Sequence, residues 1–325
     1  MVAPVSVVAA VAHIHLTFFR AIVIGLVQGV TELFPISSLG HSVLLPAIFG
    51  WNDLVKGQSA SESGYLAFLV GLHVGTAIAL LVYFWRDWVA IISGGLRSLG
   101  RAARRDAPFV RSSEERLFWL LVIVTIPVGV LGLALEHKLR TVFAKPTAAA
   151  LFLIVNGLIL LTGERLRRLD ESRALAAAST DDGAPVPVPE DVPARRLDTL
   201  SYREGFVIGI FQSSALLAGI SRSGVTMVGG LVRGLNHEDA ARFSFLAATP
   251  AIFAAGVYKL PDLSGHLGDG IRGQVLAGSV AAALAAYAAV RWLMRYFETK
   301  TLIPFAVYCL VAGAVCAIGF GSGAF

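Results

Sequence analysis

Two short stretches hold most of the residues in this chain that could do chemistry. The first is Gln28-Gly-Val-Thr-Glu32-Leu-Phe-Pro35-Ile-Ser37-Ser38-Leu-Gly40-His41, set in a strongly apolar surrounding. It gathers a carboxylate, an amide, two hydroxyls, an imidazole and two chain-breaking residues. The second, Gly219-Ile-Ser221-Arg222-Ser223-Gly224, has the same character and adds a cation. Polar and ionisable groups at membrane depth are costly and tend to be kept for function. The expectation is that the two loops meet inside a bilayer and form one phosphate-handling site. A guanidinium fork grips two phosphate oxygens, and amides at a helix start add donors and a favourable dipole. Arg222 is the candidate cation, with Ser37, Gly219, Ser221, Ser223 and Gly224 as candidate phosphate-binding residues. A purely structural Arg222–Glu32 pair is the plainer alternative.

Gln28 and Glu32 are spaced i, i+4 and share one helix face. Glu32 could be a metal ligand, a general base or the partner of Arg222; a structural carboxylate at a helix end would need none of these. Ser37 or Ser38 could simply be a helix N-cap. His41 lies three residues after Ser38, near enough on a helix to accept its proton, as an activated serine nucleophile needs. His73 has no evident partner and is expected to be packed or cavity-lining. His13, His15, His137, His237 and His266 look like interface or loop residues.

These residues must be held by membrane helices. The 325 residues are 56% hydrophobic and only 15% charged, with mean hydropathy +0.71. Soluble domains are nearer a quarter charged, so this composition marks a polytopic membrane protein. Spans are expected at about 65–85, 117–135, 147–163, 243–259, 273–290 and 302–320. Regions 18–49 and 204–236 are also apolar but are broken by the two polar stretches. Their halves are too short to cross alone, so each is expected to dip in and return as a re-entrant helical hairpin. The net charge of +5 does not call for nucleic acid, because the basic residues cluster beside apolar spans, where they set topology and meet anionic lipid. Cys309 and Cys316 share one face of the last span and read as packing residues. Met1–Ala12 lacks a basic leader and is not read as a cleaved signal. Residues 170–200, with Asp181, Asp182 and four prolines, read as an extended connection.

The broken regions resemble each other. A shift of 184 residues superposes Val23, Ile24, Gly25, Gln28, Leu33, Ile36, Ser37 and Gly40 on identical residues. This is an internal repeat. Placing the start outside puts 19 Lys/Arg inside, seven outside and Arg222 within the membrane, as the positive-inside rule favours. The repeats then have opposite orientation, one hairpin enters from each side, and the tips can meet near the midplane, where such architectures bind their ligands. The expected fold is therefore an all-α polytopic membrane protein with inverted-topology repeats, about six transmembrane helices and two re-entrant hairpins. It forms one membrane unit over 1–325: repeat one at about 18–163, a cytoplasmic linker at 164–203 and repeat two at 204–320.

At these two motifs the chain resembles the undecaprenyl-diphosphate phosphatase family, also known for bacitracin resistance. The family's first motif reads (Glu/Gln)-Gly-x-x-Glu, an aromatic-rich turn, then Pro-x-Ser-Ser-x-Gly-His, matched here by Gln28 to His41. Its second reads Pro-Gly-x-Ser-Arg-Ser-Gly, matched by Ala218 to Gly224. The similarity runs from about residue 18 to the C-terminus, apart from the linker. The resemblance implies hydrolysis of the terminal phosphate of a C55 isoprenoid diphosphate lipid in the bacterial plasma (inner) membrane. It implies Glu32, Ser38, His41 and Arg222 as the catalytic core, and a divalent cation, Mg2+ or Ca2+, with Glu32 and Gln28 as its ligands. A homodimer is compatible with it. Gln28 stands where many members have Glu, which removes one anionic metal ligand. Ala218 replaces Pro, which loosens the turn before Gly219. The serious rival is a transporter, because inverted repeats with a midplane polar site also carry secondary transport; a scaffold has little reason to bury both Arg222 and Glu32.

Overall fold

A computed structural model describes residues 15–51, 53–54, 64–143, 145–178, 195–265 and 269–325, as backbone alone at 136–143, 174–178 and 258–264. Met1–Ala12, His13, His266 and most of the proline-rich connection (179–194) lie outside the described residues. No strand occurs among the described residues.

Among the described residues, six helices are long and apolar enough to cross a membrane, in agreement with the six spans expected. They are α3 (Gly64–Tyr83), α5 (Ser113–Phe143), α6 (Pro146–Ala178), α9 (His237–Ser264), α10 (Arg272–Phe297) and α11 (Ile303–Ser322). Four shorter helices flank the polar stretches: α1 (Phe18–Leu33), α2 (Ser38–Ile48), α7 (Tyr202–Gln212) and α8 (Arg222–Leu231). At 1.5 Å per residue, even the 16 residues of α1 fall short of a hydrocarbon core of about 30 Å. Pro35 and the turn around it stop α1; α7 gives way to a 3-10 turn at Ser213–Leu216, and Gly219, at φ 112, turns the chain into α8. A further helix, α4 (Trp85–Ala103), runs through the arginine-rich segment 86–116. No span is expected there from the sequence, yet apolar residues recur at helical spacing between the arginines and carry the helix.

Small residues let the helices approach closely. Against α1, α10 sets Gly278 beside Gly25 and Ala282 beside Gly29, so close that a side chain at either α1 glycine would collide with the α10 backbone. Gly75 of α3 meets Ser279 in the same way. Apolar burial drives little association between helices in lipid, so close backbone packing carries more of it. This stripe fixes α1 and α3, the helices that bear Glu32 and His73, against one common support.

The starts of α2 and α8 repeat one device. Ser37 Oγ accepts from Gly40 N at 3.1 Å, and Ser221 Oγ accepts from Gly224 N at 3.1 Å. These are the positions that the 184-residue shift superposes. Both serines are N-caps, which supply an acceptor to an otherwise unpaired first-turn amide.

Candidate functional site

Glu32 ends α1, buried, and is the hub of the site. Its Oε1 accepts from Arg222 Nη2 at 2.5 Å. Its Oε2 accepts from the Ser38 hydroxyl and, at 2.9 Å, from Gln28 Nε2. The i, i+4 spacing sets Gln28 over Glu32, the break at Pro35 returns Ser38 to it, and α8 delivers Arg222 from the other half of the chain. Arg222 is held at its other nitrogen, where Nη1 donates to Ala248 O of α9 at 3.2 Å.

The hairpin tips are stitched together around this hub. Ser37 Oγ accepts a second hydrogen bond, from Gly219 N at 3.1 Å. Ser37 has φ 70, a left-handed backbone, and Gly219 has φ 112 with Ala149 O and Phe152 against the place a Cβ would take. Ser223 Oγ contacts Ser221 Oγ at 3.0 Å and donates to Phe34 O at 3.2 Å. Asn156 of α6 spans both tips, donating to Pro35 O and accepting from Ser221 N, each at 2.9 Å. The sequence reading passed over Asn156. Its signal was present: a lone amide inside an apolar span is subject to the same expense that singled out Glu32.

Two histidines depart from expectation. His41 does not pair with Ser38, because one turn of helix carries its ring past the hydroxyl. Its Nδ1 faces Ser37 O at 2.7 Å and its Nε2 faces the Tyr308 hydroxyl of α11 at 2.7 Å. A carbonyl only accepts, so Nδ1 carries the proton and Nε2 accepts from Tyr308 in the neutral ring. His73, expected as a packed or cavity-lining residue with no evident partner, meets the hub. Its Nε2 lies 3.2 Å from Gln28 Nε2 and 3.4 Å from Glu32 Oε2, while Nδ1 donates to Leu69 O at 2.8 Å. No sequence spacing joins residues 28, 32 and 73; only the α1–α3 packing does.

Gln28, Ser38 and His73 gather at Glu32 Oε2, but they supply no further carboxylate. Among the described residues, no group of three His, Cys, Asp or Glu side chains could hold a metal ion. The single negative charge is already matched by Arg222. Hard divalent cations take several oxygen ligands, with carboxylates supplying charge. The set therefore does not fit a resident Mg2+ or Ca2+ by itself.

A bundle of six membrane-length helices among the described residues, with an acid–hydroxyl tip against a guanidinium tip, defines a polytopic helical membrane protein with an ionic site buried between its two halves. Residues 21–315 match the family model for bacitracin resistance protein BacA, and the chain belongs to that family. It is 53% identical to undecaprenyl-diphosphatase 2 of Frankia alni, over 94% of this chain and 98% of that protein. It is 55% identical to undecaprenyl-diphosphatases of Mycolicibacterium paratuberculosis and Mycobacterium avium, over 92% of this chain and 96% of each.

Proposed function

We propose that this protein is an undecaprenyl-diphosphatase: it hydrolyses the terminal phosphate of a C55 isoprenoid diphosphate in the bacterial plasma membrane. The product, the lipid monophosphate, is the carrier for cell-wall glycan assembly, so the reaction recycles that carrier and opposes bacitracin. The observation that carries the reading is the convergence on Glu32 of Ser38 at one oxygen and Arg222 at the other. A nucleophilic hydroxyl, a base already accepting its hydrogen bond and a phosphate-binding cation are the parts a phosphoryl transfer needs.

The reaction runs as follows. The terminal phosphate displaces Glu32 from Arg222 and takes the guanidinium fork. Ser38 Oγ attacks phosphorus while its proton passes to Glu32 Oε2. The bond from phosphorus to the bridging oxygen breaks, and the lipid monophosphate leaves. Glu32 hands that proton to the departing oxygen. Water then attacks the phosphoserine with its proton passing to Glu32. As the bond from phosphorus to Ser38 Oγ breaks, Glu32 returns the proton to Oγ and inorganic phosphate leaves. This assigns the base to Glu32 in place of His41, whose nitrogens are directed to Ser37 and Tyr308. Ser37, Ser221, Ser223, Gly219 and Gly224 shape the cradle. A divalent cation, Mg2+ or Ca2+, would reach the site on the diphosphate's own oxygens, and the proton route through Glu32 does not involve it. The two hairpins are assigned to opposite leaflets, with the site between them.

Detergent-purified protein incubated with a long-chain isoprenoid diphosphate and Mg2+ should release inorganic phosphate, and the Arg222→Ala variant should not. A wild-type protein that releases none, yet moves the lipid or an anion across vesicles, is a transporter and sinks this reading.

A further inference from the structure

The helix that the sequence reading missed points to a second interaction surface. Trp85, Val89, Ile92, Leu96 and Leu99 fall on one stripe of α4 and are all exposed, Leu96 to 65%. The opposite face is the one packed on the protein. There Gly95 lies under the Phe118 ring of α5, Ile91 and Gly94 are buried, and Ser98 Oγ accepts from Trp119 Nε1 at 2.9 Å. The apolar stripe is thus turned away from α5, the helix against which α4 packs most closely among the described residues.

Three further observations identify what covers it. Spanning helix α3, which leads directly into α4, likewise exposes Ile78 and Val82 near its end. Helix α4 itself contains Arg86, Asp87, Arg97 and Arg101 and is not among the helices apolar enough to cross. Arg86, Arg97 and Arg104 recur at spacings of eleven and seven, which puts them together along one flank of the stripe. The Arg86 guanidinium lies 5.4 Å from the Trp85 ring centroid. Arg86, Arg97, Arg104 and Arg105 are all exposed; Glu115 takes Arg101, with Arg97 Nε 3.8 Å from its other oxygen, and Asp87 takes Arg242 of α9. An apolar stripe edged by exposed arginines and an interfacial tryptophan is the make-up of a helix lying in a membrane surface.

We propose that α4 is an interfacial helix. It embeds Val89, Ile92 and Leu96 in the leaflet on the arginine-rich side and binds anionic lipid headgroups through Arg86, Arg97, Arg104 and Arg105. A neutral bilayer satisfies the stripe but leaves the arginines unmatched; an acidic protein partner would leave the apolar stripe bare. Anionic phospholipid meets both.

The test uses the full-length chain. Its two cysteines are buried, so Leu96→Cys accepts a single spin label, with Asp106→Cys as the aqueous control. In nanodiscs of phosphatidylcholine with phosphatidylglycerol, the label at 96 should collide with oxygen and be shielded from a water-soluble nickel relaxant, opposite to the control. Native mass spectrometry should show retained phosphatidylglycerol. The Arg104→Gln/Arg105→Gln variant should weaken that retention about 30-fold, as expected for two arginines at an anionic surface. A label at 96 as water-exposed as at 106 overturns the proposal. So does shielding that is equal in pure phosphatidylcholine with no lipid retained, which is neutral burial only. So do strong label–label dipolar couplings, which assign the face to a second copy. None of these readouts depends on phosphatase activity.

Discussion

Arg222 and Glu32 are 190 positions apart in the chain and 2.5 Å apart in space. Glu32 is buried, Arg222 is largely so, and each is the other's charge partner. Removing one partner of a buried pair leaves an uncompensated charge, at a cost of about 3–5 kcal/mol. Arg222→Ala should therefore lower the thermal midpoint of the detergent-solubilised protein as well as abolish phosphate release. The double variant Glu32→Gln/Arg222→Ala should recover much of the stability and none of the activity. A double variant less stable than Arg222→Ala would show that the pair is not coupled.

Ser38 and His41 separate by consequence. Ser38→Ala removes the attacking oxygen, and phosphate release should fall by three orders of magnitude or more, as the loss of a covalent nucleophile does elsewhere. Phosphate release by Ser38→Ala near the wild-type rate removes serine from the role. His41→Ala leaves the Ser38–Glu32 hydrogen bond in place, so a phosphoserine should still form and turn over, and phosphate release should persist. Mass spectrometry of the quenched protein distinguishes these outcomes.

Asn156 is the residue through which α6 sets the separation of the tips. Asn156→Leu leaves Pro35 O and Ser221 N without their partner, and a buried unpaired group costs about 1–3 kcal/mol. Activity should drop more than stability, because Ser38 and Arg222 lose their registry. The check is a lowered rate at saturating lipid in protein that still elutes as one folded species.

Glu204 reports on the other end of the molecule. Its side chain accepts from Arg195 at 2.8 Å and closes the capping box of α7 with Ser201. The Arg195 hydrogen bond, outweighing burial, lowers its carboxyl to about 2 from the ordinary 4.5. A depressed folded pKa gives stability that is whole above pH 4.5 and lost as pH falls toward 2. Glu204→Gln should lower the thermal midpoint at pH 7, and the gap from wild type should close over that window. The pair is partly exposed, so solvent screening keeps the effect small. A gap that stays constant with pH would remove the ion pair as its cause.

If the protein holds no resident cation, titrating Mg2+ into lipid-free protein should give no saturable heat, and a diphosphate analogue should restore it. Saturable binding without the analogue would return Glu32 and Gln28 to the role of metal ligands.

The six spans were legible because about twenty apolar residues in a row have few other uses. The two polar stretches were legible for the converse reason, since Glu32 and Arg222 stand where charge is expensive. What the sequence hid was contact between elements. His73 and Asn156 meet the site only through helix packing, which no local spacing encodes. The Ser38–His41 spacing misled because i, i+3 proximity does not fix where a ring points. Helix α4 was hidden by its arginines, which drew attention to topology and away from the period of Val89, Ile92 and Leu96.

Ser37 gives one oxygen to two amides, Gly40 of its own helix and Gly219 of the opposing tip. Were the two turns to part around a headgroup, Gly219 N would lose its acceptor while Gly40 N kept it. Deuterium uptake at the Gly219 amide would then clock each opening.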